Sequence, residues 1–504
     1  MSAPLLRRIV IVGGGSAGWM TAAALSSLLD PKDVAITLVE SDAIGTVGVG
    51  EATIPDILAF NRMLGVNEAE FMAATQATFK LGIEFVDWGA RGDRYVHPFG
   101  QHGVDMQGID FHQYWLRARE DGAQQPIEAY SLCAAAARAG KFALPDPNPR
   151  SVLSHIRYAY HFDATLYARF LRRYAERRGV VRVEGIVGAV GQGADGAITG
   201  LTLGDGRSVE GDFFFDCTGF RALLSGETLG SAFVDCSHWL PCDTALAVPS
   251  EHAGPPAPYT RATARDAGWQ WRIPTQRRVG NGHIFSSAFT TEEAASATLL
   301  ANLDAPALAD PRRIRFKAGC RETFWSGNCI AIGLAAGFLE PLESTSIYLI
   351  QEGISRFISL FPRGDIPDIL RTEYNRHMRT EFEQVRDFII LHYAATTRDD
   401  TPFWNHCRTM RLPDTLLHKI ELFRETGRVF RYNDELFDRS SWVAVMLGQG
   451  IVPKASDPIV ATLPEADVAR SLTSMREAMA AAVARMPDHG DFLARYCPAQ
   501  AMAA

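Results

Sequence analysis

A glycine-rich turn between a predicted strand and a predicted helix is the feature that most constrains the fold. The apolar run Arg8–Val12 is typical of a buried strand, and Gly13-x-Gly15-x-x-Gly18 follows it directly. An alanine-rich helix is predicted over 19–28, and a second strand over 34–40 ends on Glu40, 22 residues beyond Gly18. This order predicts a βαβ unit that binds a dinucleotide. A glycine-rich turn without a ligand is the disfavoured alternative, because all three features occur in the expected order.

Each part of this motif has an expected contact with the nucleotide. The three glycines let the backbone approach the pyrophosphate, and the start of the helix, at Ser16 and Ala17, meets its charge. The Glu40 carboxylate is expected on a ribose 2′-hydroxyl.

Composition excludes several other classes of protein. The 504 residues are 47% hydrophobic and 21% charged, which is typical of a globular chain rather than a disordered one. The net charge of −8 lacks the basic footprint of a nucleic-acid binder, and no apolar run is long enough for a membrane helix. The eight cysteines form no Cys-x-x-Cys pair, so neither a zinc site nor a disulfide framework is expected. A cytoplasmic protein with reduced thiols is expected.

Two later segments favour FAD over NAD. A predicted strand over 213–216 ends on Asp216, and a second short strand runs into Gly333 before a helix predicted over 347–360. In flavoproteins that resemble p-hydroxybenzoate hydroxylase, corresponding strand ends close over the FAD. The sequence has no second complete Gly-x-Gly-x-x-Gly unit, so a dedicated NAD(P)H domain is not expected and electrons must arrive by another route.

The remaining patterns predict a mixed α/β fold. Residues 60–180 read as helices and loops, 180–190 as a strand, 240–290 as an antiparallel sheet, and the chain after about 365 as mostly helical. We therefore expect a Rossmann-like FAD-binding module with an antiparallel sheet over residues 1–360. A helical subdomain on the substrate side is expected over 361–504.

A tryptophan motif narrows the chemistry. Trp269-x-Trp271-x-Ile273-Pro274 lies in a predicted strand, where period-two side chains share one face. Spacing alone would fit a pair of core aromatics. The motif is accompanied by Gly48-Val-Gly50-Glu-Ala52-Thr53, by Phe79-Lys80-Leu-Gly82, and by Glu340-Pro-Leu342-Glu343-Ser-Thr345. Together these segments, in order from residue 8 to about 360, resemble the flavin-dependent halogenases related to the tryptophan halogenases. A weaker similarity to the same family lies beyond residue 360, in Phe403-Trp-Asn405.

The resemblance implies a two-component enzyme. A separate NAD(P)H-dependent flavin reductase supplies FADH2, and its reaction with O2 and a bound halide, chloride or bromide, yields hypohalous acid. That acid passes through an internal tunnel to a lysine, where an aromatic carbon is halogenated. The implied FAD contacts also include Gly50, Ala52, Thr53, Asp216, Gly333 and Leu342. The tryptophan motif would stand between the flavin and the substrate.

Lys80 and Glu343 occupy the positions of the family's catalytic pair. An ammonium can orient hypohalous acid by a hydrogen bond, whereas a neutral amine could form a haloamine. A nearby carboxylate can stabilise the cationic ring intermediate or accept its proton, and Glu340 is the alternative to Glu343. Taken alone, Lys80 would more simply be interpreted as a surface lysine, and Glu343 as a carboxylate at the start of a helix.

Three further segments bear on halide and substrate. Thr345 and Ser346 match the halide site, but the family's Ser-Thr-Gly reads Ser-Thr-Ser here. Serine tolerates a positive φ less well than glycine and adds a hydroxyl that could line the anion site, so the halide preference stays open, with bromide over chloride as one hypothesis. His97 and Phe99 match the pair of rings that flank the substrate. The stretch 430–442 looks shorter than the insertion that encloses free tryptophan in the family. An open site for an indole-like arene, free or as part of a larger molecule, is therefore expected.

Two other functions stay open at this level. A flavin-dependent aromatic hydroxylase would share the FAD module, although Lys80 and the tryptophan motif argue against it. A catalytically silent flavoprotein would not need Lys80 and Glu343. The expected partners are the reductase, an aromatic small molecule and, as one assembly that the sequence permits, a second copy of the chain. Nucleic acid and membrane are not expected.

Overall fold

The computed structural model describes residues 6–44, 50–123 and 125–500. Gly48 of the motif that precedes Thr53 lies outside these ranges, whereas Gly50, Ala52 and Thr53 lie within them. In the described ranges, no helix is long and apolar enough to cross a membrane. All eight cysteines are free thiols.

A six-stranded sheet forms the dinucleotide-binding half of the molecule. Its strands follow the spatial order Trp325–Ser326, Cys329–Ala331, Phe213–Asp216, Arg8–Val12, Ala35–Glu40 and Val181–Glu184. Every neighbouring pair is parallel except the edge pair of Trp325–Ser326 with Cys329–Ala331. The predicted βαβ start is present, with the helix Ser16–Leu28 between the first two strands in the sequence. Because parallel strands end at one edge, the turns after Val12 and Asp216 lie side by side.

A seven-stranded sheet forms the second layer. Its strands follow the order Arg312–Arg315, Thr244–Ser250, Val279–Phe285, Gly268–Pro274, Thr260–Arg265, Gly82–Val86 and Arg94–Pro98. The predicted antiparallel sheet over 240–290 supplies its middle. The strand Gly82–Val86 pairs in parallel with Thr260–Arg265, and Arg94–Pro98 continues the sheet. His97 lies on the strand Arg94–Pro98, and Lys80 ends a separate short strand, Thr78–Lys80, two residues before Gly82–Val86 begins.

Three small sheets complete the β structure. They contain the strands Gly50–Ala52, Ala159–Asp163 and Thr78–Lys80; the strands Ser208–Glu210, Ile198–Leu203 and Val187–Gln192; and the strands Phe233–Asp235, Gly319–Arg321 and Gly337–Phe338.

Two sequence expectations are wrong at this level. Residues 60–180 contain four strands besides their helices, because these short segments pair with partners far away in sequence, which local patterns do not register. The strand predicted over 180–190 is two strands, Val181–Glu184 and Val187–Gln192, which belong to different sheets.

Helices cover the sheets and form most of the C-terminal part. They span Ser16–Leu28, Asp56–Met63, Glu68–Thr75, Phe111–Glu120, Leu132–Arg138, Ala164–Glu176, Glu292–Ala301, Ser346–Ser359, Asp368–Ala394, Pro402–Thr409, Asp414–Thr426, Arg439–Gly448, Glu465–Arg485 and His489–Tyr496. One hydrophobic core runs from Leu6 to Cys497 and includes side chains from both sides of residue 360. The division into 1–360 and 361–504 stays a prediction.

Candidate active site

A cavity of about 550 Å³ lies at the carboxyl ends of the parallel strands. That volume is within the range of about 300–1,000 Å³ that ligand sites occupy. Its wall includes eight of the residues that the sequence assigned to the cofactor: Gly13, Gly15, Ser16, Ala17, Glu40, Gly50, Ala52 and Gly333. The strand ends therefore meet around one space, as the motif order predicted.

The glycines of the turn have different structural roles. A Cβ on Gly13, whose φ is +110°, would lie 2.1 Å from the carbonyl oxygen of Cys217, and a Cβ on Gly18 would lie 1.8 Å from that of Gly13. These two glycines allow strand, turn and helix to pack closely. A Cβ on Gly15 would meet no atom within 4 Å, so this backbone faces open space in the cavity. An FAD pyrophosphate fits there, against the start of the helix at Ser16.

Glu40 lies at the rim of this cavity beside the turn. Its Oε1 accepts a hydrogen bond from Arg182 Nε at 2.6 Å, and Arg172 lies 3.8 Å away. Its Oε2 lies only 1.4 Å from where a Cβ of Gly14 would be, so the carboxylate packs directly on the turn. The carboxylate is thereby held beside the turn, and its contact with a ribose hydroxyl stays a prediction.

Four other predicted cofactor residues do not line this cavity. Gly18 packs inside the turn. Asp216 is fully buried, and its carboxylate accepts hydrogen bonds from the turn that follows it, including Thr218 Oγ1 at 2.6 Å and Ser225 Oγ at 2.7 Å. Thr53 and Leu342 are buried behind the wall. Their direct contacts with FAD stay predictions; Asp216 shapes the turn whose next residues, Cys217–Gly219, do line the cavity.

The tryptophan motif forms another part of the wall. Trp269, Trp271 and Ile273 line the cavity from the strand Gly268–Pro274, which ends at the buried Pro274. The two indole rings are 6.1 Å apart. A Cβ on Gly282 of the neighbouring strand would lie 2.0 Å from the Trp271 ring, so this glycine makes room for it. Both tryptophans thus share the cavity face that period-two spacing predicted.

Lys80 lies just outside this cavity and is fully buried. Its Nζ donates hydrogen bonds to Ser344 Oγ at 2.8 Å and to the Thr53 carbonyl oxygen at 3.0 Å, and lies 5.1 Å from the centre of the Phe99 ring. Burial lowers the pKa of Lys80 to about 7, although the charge of Glu343 opposes the shift. Ser344 also lines the cavity, so one side chain separates the cavity from the lysine.

Glu343 is held by two histidines. His97 Nδ1 lies 2.9 Å from its Oε2, and His392 Nε2 lies 2.8 Å from its Oε1. Burial acts to raise the pKa of Glu343, but the charges and hydrogen bonds of these histidines more than offset burial and hold the pKa at about 2. The group is therefore a carboxylate at neutral pH, and it faces the lysine closely enough to act on its pKa.

Glu340 has a different environment. Its Oε2 accepts hydrogen bonds from Trp269 Nε1 at 2.8 Å and from the Tyr393 hydroxyl at 2.6 Å. Burial raises the pKa of Glu340 to about 7, although both hydrogen bonds oppose the shift. Of the two carboxylates that the sequence left open, Glu343 is the one that neighbours Lys80, whereas Glu340 is bonded to the tryptophan motif.

The predicted halide residues lie where the chain enters the helix Ser346–Ser359. Thr345 is buried, and its Oγ1 has no hydrogen-bond partner in the described ranges. Ser346 is the first helical residue and lines the cavity. Ser346 has no positive φ, whereas Ser344, two residues earlier, has a φ of +61°. A helix start with free amides can hold an anion here.

The region beyond Lys80 and Glu343 is aromatic. The His97 ring lies 5.7 Å from that of Phe388, and Phe437 stacks on Phe388 at 3.8 Å. Trp442 packs edge-on against Phe388 at 4.9 Å, and its Nε1 is buried with no hydrogen-bond partner among the residues described. The stretch 430–442 therefore supplies two buried rings to this region, whereas its Phe430 is half exposed.

Sequence reasoning missed three residues of the site. His392 and Tyr393 are consecutive residues at the end of the helix Asp368–Ala394, and they contact Glu343 and Glu340 respectively. Ser344 bonds to Lys80. The only signal was a pair of polar side chains that follows the apolar run Phe388–Leu391, which is unusual on a buried helix face.

A second cluster of ionisable side chains lies apart from this site. Ligand atoms of Glu352, His377 and Glu381 lie within 4.8 Å of one another. Arg356 pairs with Glu352 at 2.7 Å, and the Tyr348 hydroxyl donates to Glu381 at 3.0 Å. Because both carboxylates have protein partners, an ion-pair network explains this cluster.

Comparison with known proteins gives consistent matches along the chain. A sequence model of the family described as "Tryptophan halogenase" matches residues 8–465. Tryptophan 6-halogenase SttH of Streptomyces toxytricini is 36% identical over 97% of this chain and 98% of its own. Two solved structures share about half of the sequence. Xcc4156, a flavin-dependent halogenase from Xanthomonas campestris, has a TM-score of 0.96 and 51% identity over 99% of this chain and 100% of its own.

The second structure is BrvH, a flavin-dependent halogenase from Brevundimonas sp. BAL3, with a TM-score of 0.95 and 50% identity over 98% of this chain and 100% of its own. The predicted fold class, a mixed α/β fold with a Rossmann-like dinucleotide-binding unit, is confirmed by these similarities.

Proposed function

This chain belongs to the tryptophan halogenase family and is a flavin-dependent enzyme, and from that premise we propose that it halogenates an electron-rich, indole-like arene by way of Lys80. The observation that carries the proposal is the position of this buried lysine. Its Nζ is bonded to Ser344, which lines the flavin-sized cavity, and it lies beside the carboxylate of Glu343.

The proposed cofactor is FAD in its reduced form, supplied by a separate NAD(P)H-dependent reductase. The open backbone at Gly15, the start of the helix at Ser16 and the carboxylate of Glu40 would hold its pyrophosphate and ribose. When bound, FADH2 and O2 supply the oxidising equivalents that turn one halide ion and one proton into hypohalous acid, with FAD and water as the other products. The protein's own residues then control where the acid goes.

Lys80 orients the hypohalous acid. In the ammonium form its Nζ donates to Ser344 and to the Thr53 carbonyl, so a third N–H remains for the oxygen of the acid. That bond makes the oxygen a better leaving group and directs the halogen at the substrate ring. The ring carbon forms a bond to the halogen, the halogen–oxygen bond breaks, and the oxygen leaves as water after taking a proton from the Lys80 ammonium.

Glu343 acts on the positive charge that this step places on the ring. Its low pKa keeps it ionised, His97 Nδ1 lies within hydrogen-bond distance of both of its oxygens, and His392 Nε2 lies 2.8 Å from Oε1. A fixed carboxylate in a buried site stabilises the cationic ring. It can also take the proton from the halogenated carbon, because a cationic ring is a far stronger acid than a carboxylic acid.

The proposed halide site is the helix entry at Thr345 and Ser346. The unpartnered Thr345 hydroxyl and the cavity-facing Ser346 support an anion there. Ser346 adds a hydroxyl where the family pattern has glycine, which underlies the proposed preference for bromide. Parallel turnover assays with equal bromide and chloride would contradict this preference if chloride gave the faster rate.

The proposed substrate is an indole or similar arene rather than enclosed free tryptophan. The region beyond Lys80 offers the rings of Phe388, Phe437 and Trp442. Two charged groups of the stretch 430–442 already have protein partners: Glu435 pairs with the buried Lys419 at 2.7 Å, and Arg439 pairs with Asp105 at 2.7 Å. A co-crystal structure with free tryptophan enclosed, and with both its charged groups bound by the protein, would contradict this part.

The decisive experiment is mass spectrometry of indole and of tryptophan after incubation with the protein, FAD, a flavin reductase, NADH and bromide or chloride. We expect a halide-dependent product that is lost in Lys80→Ala while FAD still binds. A product that gains oxygen without halide would support a hydroxylase instead and overturn the proposal. Light scattering of the same sample tests the proposed homodimer.

A further inference from the structure

A buried hydrogen-bond network ties the tryptophan motif to the catalytic segment. Trp269 Nε1 and the Tyr393 hydroxyl both donate to Oε2 of Glu340, at 2.8 and 2.6 Å. Cys242 Sγ lies 3.6 Å from the same hydroxyl. Trp269, Tyr393 and Glu340 are each at most 1% exposed. No step of the proposed reaction uses Glu340 or Tyr393, so their burial calls for another explanation.

Holding a tryptophan by a buried carboxyl group costs free energy, because the carboxyl group loses its hydration. A neutral side chain would avoid the desolvation of a carboxyl group, and here one oxygen, Oε1, is buried without any hydrogen-bond partner in the described part of the chain. The network also reaches the cofactor cavity, because Trp269 lines it and the neighbours of Glu340, Leu339 and Pro341, do as well. Such placement favours a role at the reaction site.

The network connects the two sides of that wall. Trp269 lines the cavity, and Glu340 begins the short segment that carries Glu343 and Ser344 to Lys80. The same helix end holds this segment twice, because Tyr393 bonds to Glu340 and His392 contacts Glu343. Movement of Glu340 would therefore shift the indole and the Lys80 partners together.

We propose that Glu340 and Tyr393 are positioning residues that hold the Trp269 indole against the segment 340–344 and thereby set the share of hypohalous acid that reaches Lys80. This inference rests on the proposed function. Its measurable consequence is coupling, the ratio of halogenated product to FADH2 oxidised. A residue needed only for folding would change stability and leave coupling in the folded fraction unchanged.

The variants are chosen to separate these roles. Glu340→Leu removes the acceptor and leaves two buried donors unpaired. Glu340→Gln keeps a carbonyl oxygen that can accept from both. Tyr393→Phe is the milder disruption, because it removes one donor and keeps the ring. Tyr374→Phe is the matched control: Tyr374 lies on the same helix, is fully buried, and donates to the Gly353 carbonyl instead.

Each protein is incubated with photoreduced FAD, limiting O2, bromide, indole and an excess of N-acetylmethionine, whose thioether reduces free hypobromous acid to bromide and becomes the sulfoxide. Brominated indole and the sulfoxide are quantified. FAD affinity and thermal midpoint are measured on the same samples. We expect Glu340→Leu and Tyr393→Phe to lower coupling by about fivefold or more, with the sulfoxide formed from escaped hypobromous acid rising correspondingly, because one lost buried hydrogen bond is worth about 1 kcal/mol or more. Glu340→Gln and Tyr374→Phe should stay close to the wild type, with FAD affinity unchanged throughout.

The outcomes distinguish the positioning role of Glu340 and Tyr393 from the proposed halogenase function. If the wild type brominates indole and both disrupted variants couple equally well, the positioning role is wrong and the proposed function stands. A Glu340→Gln variant as uncoupled as Glu340→Leu would also contradict the positioning role, because the acceptor is retained. If the wild type itself gives an oxygenated product independent of halide, the proposed function fails.

Discussion

Replacement of Lys80 by methionine should change how the stability of this enzyme depends on pH. Methionine has a similar length but no charge, so the variant removes one titratable group from a fully buried position. The pKa of Lys80 is lowered from 10.5 to about 7 in the folded protein, chiefly by burial. Between those two pH values, the unfolded chain carries the lysine proton and the folded chain has largely lost it.

The sign of the effect follows from this difference in bound protons. Because the unfolded wild type binds more protons than the folded one from about pH 7 to 10.5, its free energy of unfolding rises with pH in that window, and Lys80→Met lacks this rise. Each pH unit is worth at most about 1.4 kcal/mol. From pH 7.5 to 9.5 the wild type should gain about 2 kcal/mol relative to the variant. Loss of the Lys80 hydrogen bonds to Ser344 and Thr53 changes the free energy of unfolding of the variant by the same amount at both pH values.

Urea unfolding followed by intrinsic fluorescence, at pH 7.5 and 9.5, measures this gain. Lys32→Met serves as the control, because Lys32 is exposed and its removal should leave the pH dependence of the wild type unchanged. An equal stability difference between wild type and Lys80→Met at both pH values would refute the argument. The lysine would then keep its proton in the folded state despite its burial.

Three further predictions concern catalysis and the cofactor. If the ammonium of Lys80 is the active form, turnover should fall as pH rises through about 7, and a steady-state pH profile that rises instead would favour the haloamine route. Glu343→Gln should keep contacts with its histidines but lose the charge, so kcat should fall by about 100-fold or more, measured against unchanged FAD affinity. Gly15→Ala should weaken FAD binding by at least about tenfold at unchanged thermal midpoint, because its Cβ would occupy only open cavity space. Gly18→Ala should instead destabilise the fold, because its Cβ would clash with the Gly13 carbonyl oxygen. FAD fluorescence titration and thermal melts distinguish these two variants.

The sequence alone predicted those parts of the structure that depend on local pattern. The strand, glycine turn, helix and Glu40 follow one another within 40 residues, and their spacing is set by the geometry of one βαβ unit. The tryptophans share a face for a similar reason, since alternation along a strand is local. These elements lie where the pattern placed them, and the cavity opens between them.

The parts that could not be predicted depend on long-range pairing. The strands at 78–98 gain their partners from residues 159–163 and 260–265, so nothing in their own short sequences distinguishes them from loops. The contact of His392 with Glu343 spans 49 residues and a helix packing that no periodicity encodes. The positive φ at the helix entry belongs to Ser344 rather than to Ser346, and the sequence Ser-Thr-Ser does not distinguish the two positions.

The end of the helix Asp368–Ala394 also constrains how this enzyme can be altered. Consecutive helical residues point about 100° apart, so His392 and Tyr393 can reach Glu343 and Glu340 together only in one rotational setting of the helix. A single inserted or deleted residue upstream of them would turn both side chains away at once. The C-terminal region therefore supplies part of the active site and cannot be exchanged independently of it. Exchanges between relatives intended to change substrate range should keep the length of this helix and place their junctions after Ala394.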